Sequence, residues 1–332
     1  MRKRKATSIE RRYLPDRKCK KTIEYDTNWN DMPMEMKAMI MMNMDFITRT
    51  KLKMCSKSDK CLVEAFPLSI PRLEDALDDE YISLGARSFD DAYPKLNIVQ
   101  FSNRVEIMKK DEKKREEKVI QLDSKKSVKE MCEGFFYGIL LAKNFHISNF
   151  KTGRILNKRY IPDGTMLHFN SVDFSSMTGK RCVEWLKHVA VGVKTVNVSP
   201  SDKDIKGIGE MSCVLNAKTV WLHYTDINDD QLVNFEANNI EIHQSKVTIL
   251  GVRDFIKKWI DKDYPINSKF SINLKEVLSN ATLTIEEIFN GIDCEYERES
   301  TSKATIRMGS RKFMCIEINT GDIKGNIFNK LE

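Results

Sequence analysis

Between residues 167 and 274 the chain repeats itself: five short segments rich in β-branched and aromatic residues begin 26, 24, 21 and 31 residues apart. They are LHFNSVDF (167–174), VKTVNV (193–198), AKTVWLHY (217–224), NNIEIHQ (238–244) and KFSINL (269–274). Helical patterns lie between them. GKRCVEWLKHVAVG carries Val183, Leu186, Val189 and Ala190 at helical spacing, and LGVRDFIKKWIDKD carries Val252, Phe255, Ile256, Trp259 and Ile260. A strand–helix unit of this length cannot bury its own apolar face, so successive units must stack. The fold class that follows is α/β.

The stack expected is parallel and leucine-rich-repeat-like. A recurring L-x-x-L-x-L-x-x-N is absent, and an ordinary α/β sheet is the competing arrangement. Downstream, CEYERE (294–299), KATIRMGS (303–310) and KFMCIEIN (312–319) read as antiparallel strands closing one edge, with a turn at Gly309-Ser310. Upstream, Leu96 and Ile98, Val105 and Ile107, then Val119, Ile120 and Leu122 alternate as two or three strands around KKDEKKREEK, a solvated hairpin tip. SVKEMCEGFFYGILLAKNF follows as a buried helix, with Ser127 as its cap and Val128, Met131, Phe135, Ile139 and Ala142 along it.

Residues 29–66 have a different character. WNDMPMEMKAMIMMNMDFITRTKLKMCSK, residues 29–57, holds eight of the sixteen methionines. Asn30 or Asp31 is positioned to cap a first helix, Pro33 falls in its first turn, and Glu35 suits the positive end of its dipole. Met36, Met39, Ile40, Met44 and Ile47 follow one helical face, with Lys37 and Asn43 off it. Ser56 or Ser58 caps a further helix through Leu62 and Val63, which Pro67 stops.

With 332 residues, 41% hydrophobic and 31% charged, the chain can bury a large core and matches neither a disordered nor a membrane composition. No stretch of 18 residues is free of charge, and MRKRKATSIERR lacks the apolar segment of a secretory signal. Net charge is +7, yet residues 1–21 contain ten Lys and Arg against Glu10 and Asp16, leaving the remainder near neutral. Composition therefore gives the folded part no case for nucleic-acid binding. The basic tail reads as a solvated, disordered terminus, with a nuclear-localisation signal or a phosphate-binding arm as the sharper alternatives. Eight cysteines, none in a C-x-x-C pair, read as reduced thiols of an intracellular protein, cytoplasmic or nuclear.

Few residues suggest chemistry. Gly207-Ile-Gly209 lacks the third glycine and the lysine of a phosphate loop. His146, His168, His188, His223 and His243 are dispersed; His223 and His243 suit adjacent strands, where a metal or acid–base pair competes with ordinary strand histidines. Asp226, Asp229 and Asp230 resemble part of a calcium loop without its glycine and terminal glutamate, and helix capping accounts for them. Trp185, Trp221 and Trp259 suit a ligand site, but two lie on apolar helical faces and read as core. No catalytic constellation, cofactor site or metal site is expected.

Two stretches together resemble a known family. Residues 29–64 resemble an F-box in Met32-Pro33, Glu35, Ile40, Met44, Cys55-Ser56-Lys57 and Leu62-Val63. NNIEIHQSKVTILGVRDFIKKWI (238–260) resembles the F-box-associated region of the large nematode F-box families through Thr248, Phe255, Ile256, Lys257 and Trp259. Methionine stands at position 32 where leucine is usual, and Lys51 and Lys53 stand where arginine is often found. The resemblance implies a tail at 1–28, an F-box at 29–66, a linker at 67–95 and a substrate-binding domain at 96–332. It further implies no enzymatic activity and no cofactor. The F-box would dock on a Skp-family adaptor of a cullin–RING ubiquitin ligase through Met32, Pro33, Ile40, Met44 and Leu52, as a helix in a groove. The C-terminal domain would hold a protein substrate whose lysines other subunits modify. Small-molecule substrates and membranes have no place in that reading. The alternative is an α/β repeat scaffold for protein–protein interaction without a ligase.

Overall fold

A computed structural model describes residues 29–44, 46–66, 68–78, 81–85, 95–101, 104–110, 117–122, 134, 136–141, 145–152, 161–175, 177–202, 205–262, 264–274, 283–309, 311–319 and 321–329. The chain divides after Phe66 into two compact units.

The first unit has a 3-10 turn, Trp29–Asp31, followed by α1 (Met34–Asn43), α2 (Phe46–Lys53) and α3 (Lys57–Ala65). Pro33 occupies the N-cap of α1 and supplies no side-chain cap, so neither Asn30 nor Asp31 takes the expected role. Ser56 does cap α3: its Oγ accepts from the Asp59 amide at 3.0 Å. Met41, Leu62 and Val63 form the core, with Trp29, Met44, Leu52 and Phe66 packed around them. The stripe marked by Met36, Met39 and Ile40 is not the side of α1 that packs inward. Met41 is fully buried, whereas Met36 and Met39 are 52% and 65% exposed. Methionine occupies α1 nearly all round, so spacing alone gives no face preference. The side chain of Ile47 and residue Pro67 lie outside the described residues.

Arg49, on α2, organises this small core. Its guanidinium is 4% exposed and donates to the carbonyls of Met44 (3.2 Å from Nε), Met41 and Phe66. Those acceptors lie where α1 and α3 end, and the Met41 carbonyl also accepts the Met44 amide. One planar fork thus ties three helices together.

The second unit is mixed α/β around one large sheet. Its strands are β1 (Leu68–Asp78), β2 (Tyr81–Gly85), β3 (Lys95–Phe101), β4 (Arg104–Lys110), β5 (Glu117–Leu122), β6 (Phe145–Lys151), β7 (Ser171–Ser175) and β8 (Thr195–Ser199). Then come β9 (Thr219–His223), β10 (Asn239–His243), β11 (Lys269–Asn273), β12 (Tyr296–Ser300), β13 (Lys303–Arg307), β14 (Lys312–Asn319) and β15 (Asp322–Asn329). Strands β6 to β11 run parallel and lie side by side in chain order. β1 adds to β6 in parallel, and β2 to β5 continue outward as an antiparallel meander. At the other edge β12 to β15 are antiparallel, and β15 pairs with β11.

Two stretches differ from expectation. Residues 67–95, expected as a linker, contribute β1 and β2 to the sheet. The C-terminal strand β15 was not anticipated, although it joins the antiparallel edge to the parallel stack. Residues 136–140 are helical, with Phe136, Tyr137, Ile139 and Leu140 buried; Ser127, Val128, Met131, Phe135, Ala142 and the tip at 111–116 lie outside the described residues.

Alternation explains the parallel strands. Val172 and Phe174, Val196 and Val198, Val220 and Leu222, Ile240 and Ile242, Phe270 and Ile272 all point into one core. That core includes Cys182, Trp185 and Leu186 of α4 (Gly179–Leu186), Val214 of α5 (Ser212–Leu215) and Leu232 of α6 (Asp229–Asn234). Val252, Phe255, Ile256 and Trp259 of α7 (Ile249–Asp261) and Ile285 and Ile288 of α8 (Ile285–Phe289) complete it.

Within the stack, TVWLHYTDIN (219–228) and NIEIHQSKVT (239–248) are successive copies of one twenty-residue unit. After each strand, Tyr224 and Gln244 take left-handed backbone angles, φ 55° and 53°. Thr225 and Ser245 are buried next to them, and Asn228 and Thr248 cap α6 and α7. Equivalent positions therefore stack: the register pairs Val220 with Ile240, Trp221 with Glu241, and His223 with His243.

Candidate functional site

Two surfaces present side chains that packing does not consume. The first is α1. Met34, Met36 and Met39 are 59%, 52% and 65% exposed, and Met54, just after α2, is 82% exposed. Fully burying one such side chain is worth about 1.5–3 kcal/mol, so these exposed side chains, Met36 and Met39 on one side of α1 and Met34 on another, are suited to a partner. Beside it, a depression of about 280 Å³ is lined by Trp29, Met34, Lys37, Asp59, Cys61 and Leu62. Its rim is fixed by polar contacts. Trp29 Nε1 donates to Asp59 Oδ1 at 2.8 Å, Ser56 Oγ donates to Asp59 Oδ2 at 2.7 Å, and Lys37 Nζ lies 5.9 Å from the Trp29 ring centre. The hydrogen bonds from Ser56 and Trp29 hold the Asp59 carboxyl below its ordinary value.

The five residues expected to contact an adaptor separate by position. Pro33 is exposed, and Met32 and Ile40 are half-buried. Met44 and Leu52 pack against Met41, Leu62 and Val63, so they support the helices from inside. Met36 and Met39, on the stripe that spacing marked, and Met34 are more exposed than any of these except Pro33.

The second surface is the face of the parallel sheet opposite the helices. Register places Lys151, Asp173, Asn197, Trp221, Glu241, Ser271 and Lys324 in one row across neighbouring strands. Lys151 Nζ and Asp173 Oδ2 are 3.6 Å apart in that row. Trp221 is 38% exposed, whereas Trp185 and Trp259 are buried at 1% and 0%. A trough of about 570 Å³ is lined by Trp221, Glu241, His243, Lys269, Ser271 and Lys324, among others.

Other sequence candidates have structural roles. Asn228 and Gln231 form a reciprocal capping box, Asp229 and Asp230 fill the first turn of α6, and Asp229 also holds the start of α7. No calcium loop results. Gly209 is buried against Ile227 and Gln231. Burial pushes the Cys182 thiol up to about 12 and Cys213 up to about 11, which makes both poor nucleophiles. Among the described residues no helix is long and apolar enough to cross a membrane.

No protein-family model matches the chain, and no solved structure matches it. It is 24% identical over 262 residues to an uncharacterized F-box protein of Caenorhabditis elegans, a match covering 70% of this chain and 66% of the relative. That similarity supports F-box family membership. The match spans slightly less than two thirds of the relative's own length.

Proposed function

We propose that the chain is the substrate-recognition subunit of a cullin–RING ubiquitin ligase of the SCF type. Residues 29–66 serve as the F-box and dock on a Skp-family adaptor. The sheet unit is the F-box-associated, leucine-rich-repeat-like domain and holds a protein substrate on its open face. The carrying observation is the exposed methionines of α1, Met36 and Met39 on one side with Met34 at its start, on a compact three-helix unit that ends at Phe66. Met34, Met36 and Met39 join Met32, Pro33 and Ile40 as the docking residues, with Met44 and Leu52 shaping the helices behind them.

The protein so read performs no chemistry of its own. Binding raises the effective concentration of substrate lysines near the loaded conjugating enzyme. Methionine suits such a contact because its unbranched thioether side chain adapts to the groove it meets. The reading places the protein inside the cell.

Co-purification of the full chain with a Skp-type adaptor tests this. The wild type is expected to retain the adaptor, and Met32→Asp combined with Pro33→Ala to lose it. No adaptor on the wild type would leave the non-ligase scaffold as the better reading. Retention by the double variant would overturn the assigned contact.

A further inference from the structure

We infer that His223, Glu241 and His243 form a binding site for one divalent transition-metal ion, zinc in the first instance, on the open face of the sheet. The inference is independent of how residues 29–66 are read.

The arrangement follows from the repeat. His223 and His243 occupy the same position of two successive units and are register partners on β9 and β10. Their rings stack with centroids 4.6 Å apart and planes 20° from parallel. Glu241 precedes His243 by two residues, so it projects from the same face of β10. Its Oε1 lies 2.9 Å from His243 Nε2 and 3.8 Å from His223 Nε2. One ligand atom from each residue falls within 4.8 Å of the other two, which no other such group does among the described residues.

Two imidazole nitrogens and one carboxylate oxygen are the donor set of open zinc sites. Zinc bonds of about 2.0–2.1 Å in a tetrahedron place donors roughly 3.3 Å apart. The two separations from Glu241, 2.9 and 3.8 Å, bracket that value, and the third pair of ligand atoms lies within 4.8 Å. Calcium and magnesium fit poorly, since both prefer all-oxygen shells. The three side chains are 33%, 42% and 26% exposed in the order His223, Glu241, His243, so an ion has a direct path in. Glu241 and His243 also line the trough beside Trp221.

A purely structural account is a hydrogen bond between Glu241 and one imidazole. Ring stacking then accounts for the second histidine. This account predicts no metal affinity, which makes the two separable.

The test uses untagged full-length protein carrying Cys55→Ser and Cys61→Ser, because both thiols are exposed and bind soft metals. Zinc chloride is titrated calorimetrically at neutral pH, with circular dichroism confirming the fold of each variant. One zinc per chain is expected, with affinity at least about tenfold weaker in His223→Ala and in His243→Ala and absent in the double variant. Nickel is expected to quench fluorescence in the same protein and to lose that quench in Trp221→Phe. No zinc binding, or undiminished binding by the folded double variant, would overturn the site. Should the double variant not fold, the near-isosteric Glu241→Gln decides: a tenfold or greater loss supports the site, and unchanged affinity overturns it.

Discussion

A Cβ placed on Gly251 would lie 2.1 Å from Asp229 Oδ1, so the first turn of α7 sits directly against the first turn of α6. The same carboxylate caps α7 from the neighbouring unit: the Thr248 amide donates to Oδ1 at 2.7 Å and Thr248 Oγ1 donates to Oδ2 at 2.7 Å. Asp229 is thus a link between successive repeats.

That link predicts an inversion of helix propensity. In an open helix, glycine to alanine gains about 1 kcal/mol. Here Gly251→Ala pushes Asp229 off Thr248 and is expected to destabilise the full chain by about 1–3 kcal/mol. Asp229→Ala loses two charge-assisted hydrogen bonds and is expected to cost about 2–4 kcal/mol. In Asp229→Ala the carboxylate is gone but its Cβ still lies 2.7 Å from the added one, so Gly251→Ala should cost less there than in the wild type. Chemical denaturation of the four proteins reads the coupling directly.

Gly325 on β15 makes a comparable prediction at the seam between the parallel and antiparallel strands. Its missing Cβ would fall 2.1 Å from the ring of Phe270, its register partner on β11. Gly325→Val is expected to lower the melting temperature by several degrees, and Phe270→Leu in the same chain to restore part of the loss.

These two glycines also explain where the sequence stops being legible. Strands β7 to β11 could be placed because alternating apolar residues mark a half-buried strand, and the C-terminal antiparallel strands β12 to β14 followed the same logic. In β15 the buried positions are Ile323, Gly325 and Ile327, and the central glycine breaks the apolar pattern to make room for Phe270. β1 was obscured by Pro71 and by the acidic run after it, both of which resemble a linker. On α1, methionine at positions 34, 36, 39, 41 and 42 satisfies several helical faces at once, and tertiary packing chose Met41. Arg49 has no local signature, since its carbonyl acceptors come from helix ends set by the fold. The histidine pair was visible as two strand residues, but the twenty-residue offset that stacks them appears only when the two units are aligned.

Arg49 carries a prediction of its own. Arg49→Met leaves the carbonyls of Met41, Met44 and Phe66 without this donor and is expected to destabilise the helical unit by about 3 kcal/mol or more. Arg49→Lys should rescue little, because an ammonium cannot reproduce the planar fork. Hydrogen exchange of amides 34–65 in the full chain should accelerate in both variants, while amides of β7 to β11 keep their protection.

Glu236 gives a pH dependence with a definite sign. The hydrogen bond from Lys262 holds its carboxyl below the ordinary 4.5; burial pushes the other way, and Lys258 adds a smaller lowering. A folded-state value below the unfolded one contributes stability above pH 4.5, lost as pH falls through the lowered folded value. Glu236→Gln should therefore reduce stability at neutral pH and show a smaller further loss on acidification. Half-exposure and salt screening keep the effect small, so raising ionic strength should shrink the difference.

The methionine face separates docking from folding. Met36→Asp and Met39→Asp alter side chains that are already more than half exposed, so the melting temperature should move little. Adaptor capture should nevertheless fall sharply, because each aspartate would place a charge in an apolar groove. Val63→Ala is the opposite control: it removes buried methyl groups from the Met41–Leu62–Val63 core and should lower stability by about 1–3 kcal/mol. Capture by that variant should return to the wild-type level at temperatures where the helical unit is folded. If the surface variants keep full capture while Val63→Ala alone loses it, the partner does not bind through the outer face of α1.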